Sequence, residues 1–152
     1  MKILFLDFDG VLNNAEHRSA YGNIGAGIDR TKLALVKKLI DSTGAKIVLT
    51  TSLKTYWNKN PDKCDYYGQV INDEFSKFGL EIYCKTPVLE NEKREEEILQ
   101  WIVDNPGINN YVVIDDGFLT AKFLVGHFVR TSDKEGLEEE HIEKAIEILN
   151  KI

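Results

Sequence analysis

Asp7 and Asp9 stand one residue apart at the end of the apolar run Ile3 to Leu6, and Gly10 follows them. A short apolar run that stops at a glycine reads as a buried strand. Strand side chains alternate, so both carboxylates leave its C-terminal end on the same side. Two carboxylates so placed repel each other. They are costly to bury unless a cation or hydrogen-bond donors lie between them. Asp9-Gly10 alone would also serve as an ordinary turn dipeptide.

Other groups capable of chemistry sit in comparable places. Thr50, Thr51 and Ser52 follow the β-branched run KIVL, Lys46 to Leu49. The basic pair Lys93-Arg94 opens a helical stretch. Asp115 and Asp116, before Gly117, end the run YVVI, Tyr111 to Ile114. Each of these, alone, is a common turn or a solvated helix start. What matters is the elements that would bring them together.

The first strand is followed by Asn14 to Ile28, a polar, glycine-containing segment too irregular for a long helix. Asp29 can cap a helix whose apolar residues Leu33, Val36, Leu39 and Ile40 follow a helical period, and Gly44 can stop it. After the second strand, Pro61 limits any helix in Leu53 to Lys63. The pattern predicts a helix over Gln69–Phe78, a weaker strand over Leu80–Cys84 and a loop over Pro87–Glu92. A helix over Lys93–Val103 has Glu95, Glu96 and Glu97 where they suit the helix dipole. Its apolar face is read as Ile98, Leu99, Ile102 and Val103, and Pro106-Gly107 ends it. A short strand over Phe128–Arg130 and a helix over Leu137–Ile152, with Ile142, Ala145, Ile146 and Leu149 on one face, close the chain. Strands alternating with helices predict a parallel sheet with right-handed crossovers. Ligands bind such sheets beyond the carboxyl ends of the strands, where all three polar strand ends would gather.

The totals bound the function. The chain has 152 residues, 43% hydrophobic, which suits one domain, residues 1–152, with its own core. No apolar run approaches the roughly 20 residues of a membrane span, and the N-terminal apolar stretch is too short for a signal peptide. A cytoplasmic protein without membrane attachment is expected. Cys64 and Cys84 form no C-x-x-C pair and are expected as free thiols. The net charge of -6 argues against a surface that grips nucleic acid non-specifically.

DFDGVLN, IVLTTS, Lys93-Arg94 and YVVIDDG, in that order, resemble the four motifs of the haloacid dehalogenase (HAD) superfamily of phosphotransferases. The resemblance covers essentially the whole chain. DGVLN, the Thr-Thr-Ser triplet, an R-x-x-E-I helix start, V-I-D-D and a late Gly-Leu further resemble the small HAD domains of bacterial and viral RNA-repair proteins. One departure is Leu53-Lys54, where those relatives tend to have Trp-Arg. The resemblance implies an α/β, HAD-like (Rossmannoid) three-layer sandwich with a central, mostly parallel sheet and minimal or no cap. It implies Asp7 as nucleophile, forming an aspartyl-phosphate, and Asp9 as the acid that protonates the leaving group and then activates water. Backbone N–H groups at Phe8, Asp9 and Gly10 would cradle phosphate oxygens. Thr50, with Thr51 beside it, would donate to phosphate. Arg94, or Lys93 next to it, would neutralise charge on the transferred group. Magnesium would be the cofactor, in an all-oxygen site drawn from Asp7, Asp9, Asp115 and Asp116, with Asp116 the favoured ligand.

Neither gap between motifs holds an inserted cap domain: Asn14 to Ile28 is too short for one, and Leu53 to Glu92 reads as core helix and strand plus loop. An open site admits large phosphorylated substrates, nucleic-acid ends among them, and a protein partner could supply the nucleic-acid grip that the charge does not. His17 and Arg18 lie where a substrate could touch them. Tyr56, Trp57, Tyr66 and Tyr67 could stack on a base, though packing is the commoner use of such residues. Lys54 could reach a phosphate, while His127 and His141 have no metal-ligand spacing. The expected activity is magnesium-dependent phosphomonoester hydrolysis. The contrasting reading is an inactive phosphate-binding or interaction module that keeps the fold. Three costly converging carboxylates favour the first.

Overall fold

β1 (Lys2–Leu6) is buried on both faces, with Ile3 to Leu6 fully inaccessible, as a continuous apolar run in the middle of a parallel sheet requires. The structure is a computed structural model and describes residues 1–151. β2 (Lys46–Leu49) and β4 (Asn110–Asp115) flank β1. β3 (Ile82–Lys85) and β5 (Phe128–Arg130) form the edges. The order is β3-β2-β1-β4-β5 and every pairing is parallel. The expected α/β sandwich is therefore present, and its sheet is wholly parallel.

Alternation divides the sheet's side chains between two faces. Leu4, Leu6, Ile47, Leu49, Val112 and Ile114 join the larger core. Three helices cover that face: α2 (Arg30–Thr43), α3 (Tyr66–Ser76) and α5 (Glu139–Leu149). Ile3, Phe5, Val48 and Val113 face α4 (Arg94–Asp104) instead, through Ile98 and Trp101. A short helix, α1 (Ala15–Tyr21), buries no residue.

Register then places the polar strand ends. Leu6 pairs with both Leu49 and Ile114, so Asp7, Thr50 and Asp115 occupy the next rung. Backbone bonds continue there, from Asp7 N to Ile114 O at 3.2 Å and from Thr50 N to Leu6 O at 3.0 Å. By parity these three follow Phe5, Val48 and Val113 onto the α4 face.

Asp29 caps α2 by accepting from Thr31 N at 3.0 Å, and Gly44 closes the helix in the left-handed region. Leu33, Val36 and Leu39 are fully buried, as the period predicts. Three helices depart from the expected bounds or faces. α3 begins at Tyr66 rather than Gln69, because Asp65 stands in extended backbone at its N-cap, and it ends at Ser76. α5 begins at Glu139, where Glu138 and His141 form a reciprocal cap, and ends at Leu149. Of the predicted extension, Ile152 lies outside the described residues. α4 exposes Leu99 and Val103 and buries Trp101 instead. Its buried stripe is Glu97, Ile98 and Trp101, with the half-buried Arg94 one turn before Glu97, a helical face that includes charged residues. Of the expected apolar face, Ile98 is buried and Ile102 packs half-buried against the same core, while Leu99 and Val103 face outward.

Between β1 and α2 lie only α1 and a 3₁₀ turn, Ile24–Gly27, and residues 53–92 supply core elements rather than an inserted domain. Cys64 and Cys84 are free thiols. Among the described residues no helix is long and apolar enough to cross a membrane.

Candidate active site

Asp7, Asp115 and Asp116 converge at the carboxyl edge of the sheet, with carboxylate oxygens all within 4.8 Å of one another. Asp7 and Asp115 are buried and Asp116 is half-buried. The cluster opens into a cleft of about 370 Å³ that Asp9, Thr51, Ser52 and Arg94 also line. Arg94, the first residue of α4, reaches over the sheet end. Its Nη1 lies 3.0 Å from Asp7 Oδ1 and 2.5 Å from Asp115 Oδ2. The other Asp115 oxygen accepts from Gly117 N at 2.8 Å.

Crowding raises the proton affinity of Asp7 and Asp116. Burial first, and then the charge of Asp115, push Asp7 up to about 7, against the opposing pull of Arg94 and the Phe8 N–H. Burial and the neighbouring Asp115 also raise Asp116. For Arg94, burial works against the charge, but Asp7 and Asp115 outweigh it and its pKa is raised. Three carboxylates against one guanidinium leave an excess of negative charge in a partly desolvated space. An all-oxygen donor set of this kind fits a hard divalent cation such as magnesium.

The loop after Asp7 is pinned from several directions. Gly10 has φ +76°, and a Cβ built there would lie 2.2 Å from Asp116 Oδ2. Glycine thus lets Asp116 lie against the loop backbone. The Gly10 N–H does not face the cleft as a free donor, because it donates to Asn13 Oδ1 at 2.9 Å. Its expected share in a phosphate cradle is corrected accordingly. Asn13 is buried and organises the loop. It donates to Asp9 Oδ1 at 2.9 Å and to Gly27 O at 3.0 Å, and accepts from Arg18 Nη1 at 2.8 Å. Arg18 in turn pairs with Asp133 at 2.7 Å. Thr131 Oγ1 donates to Gly10 O at 2.6 Å, and Leu137 N to Val11 O at 2.9 Å. Gly136 allows the second approach, since a Cβ there would meet Asn13 O at 2.5 Å. Phe8 turns away into the core and stacks on Phe75, with centroids 5.9 Å apart.

Asp9 stands apart from the three-carboxylate cluster. Its side chain is exposed and held by Asn13, so its expected place among the metal-ligating carboxylates is not what the geometry gives. Lys93 is exposed at the N-cap of α4 and makes none of the site's ion pairs, whereas Arg94 makes two of them. Thr50 is buried, and its hydroxyl has no hydrogen-bond partner among the described residues. It lines a cavity of about 190 Å³ with Lys54, Arg94 and Glu97, and that cavity shares Ser52 and Arg94 with the main cleft. Thr51 is buried at the cleft wall and accepts from Leu53 N at 3.3 Å.

Lys54 does not reach out as a phosphate ligand would. It is buried, its pKa is lowered by that burial, and it donates to Glu97 Oε1 at 2.7 Å, Thr86 Oγ1 at 2.8 Å and Pro87 O at 3.2 Å. Glu97 also accepts from Leu89 N at 2.9 Å. Of the aromatic group after the second strand only Trp57 is buried, Tyr67 is half-buried, and Tyr56 and Tyr66 are exposed. Trp57 is buried and donates to Asn72 at 2.8 Å, while Tyr67 lies between Tyr56 and Tyr66, at 5.4 and 5.5 Å. His127 stacks on Tyr111, and His141 caps α5. Sequence reasoning assigned no role to Asn13, and to Glu97 only a favourable place at the start of the helix dipole. The only other trace of either was its place in a motif string, Asn13 closing DGVLN and Glu97 inside R-x-x-E-I.

Searches of curated proteins and of solved structures gave no significant match. A family model described as the HAD domain in Swiss Army Knife RNA repair proteins matches residues 3–142. That span runs from the first strand into α5 and holds the acidic cluster, Arg94, the Asn13 loop and the 131–137 clamp. This chain therefore belongs to the family of HAD domains found in Swiss Army Knife RNA repair proteins.

Proposed function

We propose that this chain is a magnesium-dependent phosphomonoester hydrolase acting on nucleic-acid ends or another large phosphorylated substrate. The observation that carries the reading is the convergence of Asp7, Asp115 and Asp116 under Arg94 at the open end of a parallel sheet. Asp7 and Asp116, with Asp115 beside them, would hold the magnesium ion. When bound, the cation neutralises the cluster and offsets charge on a phosphate oxygen. Asp7 attacks phosphorus, and the ester oxygen leaves with a proton from Asp9. Asp9 then takes a proton from water, which attacks the aspartyl-phosphate and releases phosphate and Asp7. The link to Asn13 orients Asp9 for both transfers. Arg94 sits where charge develops on the phosphoryl group, and the unpaired Thr50 hydroxyl is a donor awaiting an acceptor. The open cleft and the lack of an inserted cap support a large substrate.

Phosphate release from p-nitrophenyl phosphate, with and without magnesium, tests this reading. Turnover should require the metal and vanish in Asp7→Asn. Metal-independent turnover, or full activity in Asp7→Asn, would refute the mechanism. The same assay on 3′- and 5′-phosphorylated oligonucleotides against small sugar phosphates tests the substrate class.

A further inference from the structure

Phe118 interrupts the residues that line the cleft. Asp115, Asp116, Gly117 and Leu119 all border it, while the Phe118 side chain lies outside and is 76% exposed. A lone exposed aromatic is common on protein surfaces. This one is held in place. The Arg130 guanidinium lies over its ring, 4.9 Å from the centroid, within cation–π range. Arg130 Nε also donates to the backbone oxygen of Asp116 at 3.1 Å. Arg130 ends β5, in register with Asp115. The ring is thus backed by a side chain tied to the acidic cluster's own backbone. Only Gly117 separates Phe118 from Asp116 along the chain, a span of about 7 Å at most. Asp116 and Arg130 also border a polar groove of about 470 Å³ with Thr131, Ser132 and His141, so there is room beside Asp116 for more than a phosphate.

We propose that Phe118, backed by Arg130, is a stacking platform for the terminal nucleobase of a nucleic-acid end whose phosphate enters the cleft. The proposal rests on the phosphatase reading and narrows its substrate to the nucleic-acid class. Stacking on an aromatic face is tolerant of base identity. The platform therefore favours nucleotide ends over non-aromatic phosphate esters without selecting a sequence. It also suits an acidic protein, because stacking supplies affinity that a basic track would otherwise provide.

The test uses the full chain carrying Asp7→Asn, so that the phosphate stays on the substrate. A phosphorylated oligoribonucleotide with 2-aminopurine at its terminal nucleotide reports stacking as fluorescence quenching. Binding with quenching is expected with Phe118 and with Phe118→Trp. Phe118→Ala should bind about tenfold more weakly, without quenching. An otherwise identical oligonucleotide with an abasic terminal nucleotide should bind all three equally. In the background with Asp7 intact, Phe118→Ala should hydrolyse glycerol phosphate, which has no ring to stack, within about twofold of the parent rate. The platform is overturned if Phe118→Ala binds the base-bearing end as tightly as the parent, if the parent does not distinguish it from the abasic end, or if neither end binds. Failure of the phosphatase reading looks different. It appears as absence of phosphate release from every ester, with the quenching unchanged.

Discussion

Gly10 shows how an absent side chain can shape a site. The Asp116 carboxylate occupies the space where a Cβ would be, and the backbone there is in the left-handed region. Gly10→Ala is expected to cost about 2 kcal/mol or more in urea unfolding and to weaken the magnesium dependence of turnover by displacing Asp116. An alanine variant with unchanged stability and unchanged metal titration would show that the close approach is not needed. The neighbouring cations make a sharper comparison. Arg94→Ala should lower kcat/KM by about 10²- to 10³-fold, whereas Lys93→Ala, at an exposed cap, should stay within about twofold. Kinetics on p-nitrophenyl phosphate would read both, and equal losses would contradict the assignment of the charge to Arg94. At this scale the aspartates were legible in the sequence because each pair stands at the end of an apolar strand run and parallel strands bring such ends together. Asn13 was not. An asparagine after a turn has many ordinary roles, and only the folded loop shows it bonded to Asp9, Gly10, Gly27 and Arg18 at once.

Between elements, the buried Lys54–Glu97 pair ties the 3₁₀ turn Ser52–Tyr56 and the loop after β3 to the first turn of α4. Glu97 lies one turn after Arg94, so the pair fixes the part of the helix that carries the guanidinium. Removing one partner leaves a buried charge, so Glu97→Ala should destabilise the fold by about 3–5 kcal/mol, whereas the double change Lys54→Met with Glu97→Leu should cost much less. Denaturant unfolding of both variants would check this, and equal losses would argue against a buried pair. This contact also explains why part of the α4 face was misread. Glu97 looks solvated until its lysine, 43 residues earlier in the chain, is known to lie beneath it. β1, the core of β2 and β4, and α2 were legible because their apolar periods are uninterrupted by charge, whereas the edge strand β3 follows Glu81 and was the weaker reading.

A second inter-helix contact gives a pH dependence. Hydrogen bonding from Arg30 on α2, aided by Lys77 and opposed by burial, holds the Glu74 carboxyl of α3 below its ordinary range. A depressed folded-state value means stability that is full above the ordinary glutamate range and lost as pH falls through the folded value. Glu74→Gln should therefore be less stable than the parent near neutral pH, and the gap should close in acid. A gap that persists unchanged at low pH would mean that packing, not ionisation, sets it.

The whole molecule carries a net charge of -6, and the cations described around the cleft are few: Arg94, Arg18 and Arg130. A bound oligonucleotide can therefore neutralise few phosphates. The logarithmic dependence of its affinity on salt should have a slope no steeper than about -2. A much steeper slope would reveal a basic track elsewhere on the surface. The clamp on the Asp7 loop has a different consequence, one of timing. Gly10 leaves the ribosome 121 residues before Thr131, yet Thr131, Asp133 and Leu137 hold the loop after Asp7 in place. β1 likewise waits for β2 and β4, its neighbours on either side. That loop is therefore made long before the residues that pin it. A nascent chain stalled before Leu137 emerges would display the whole acidic cluster and Arg94 and still lack the bond from Leu137 to Val11 that helps pin the Asp7 loop.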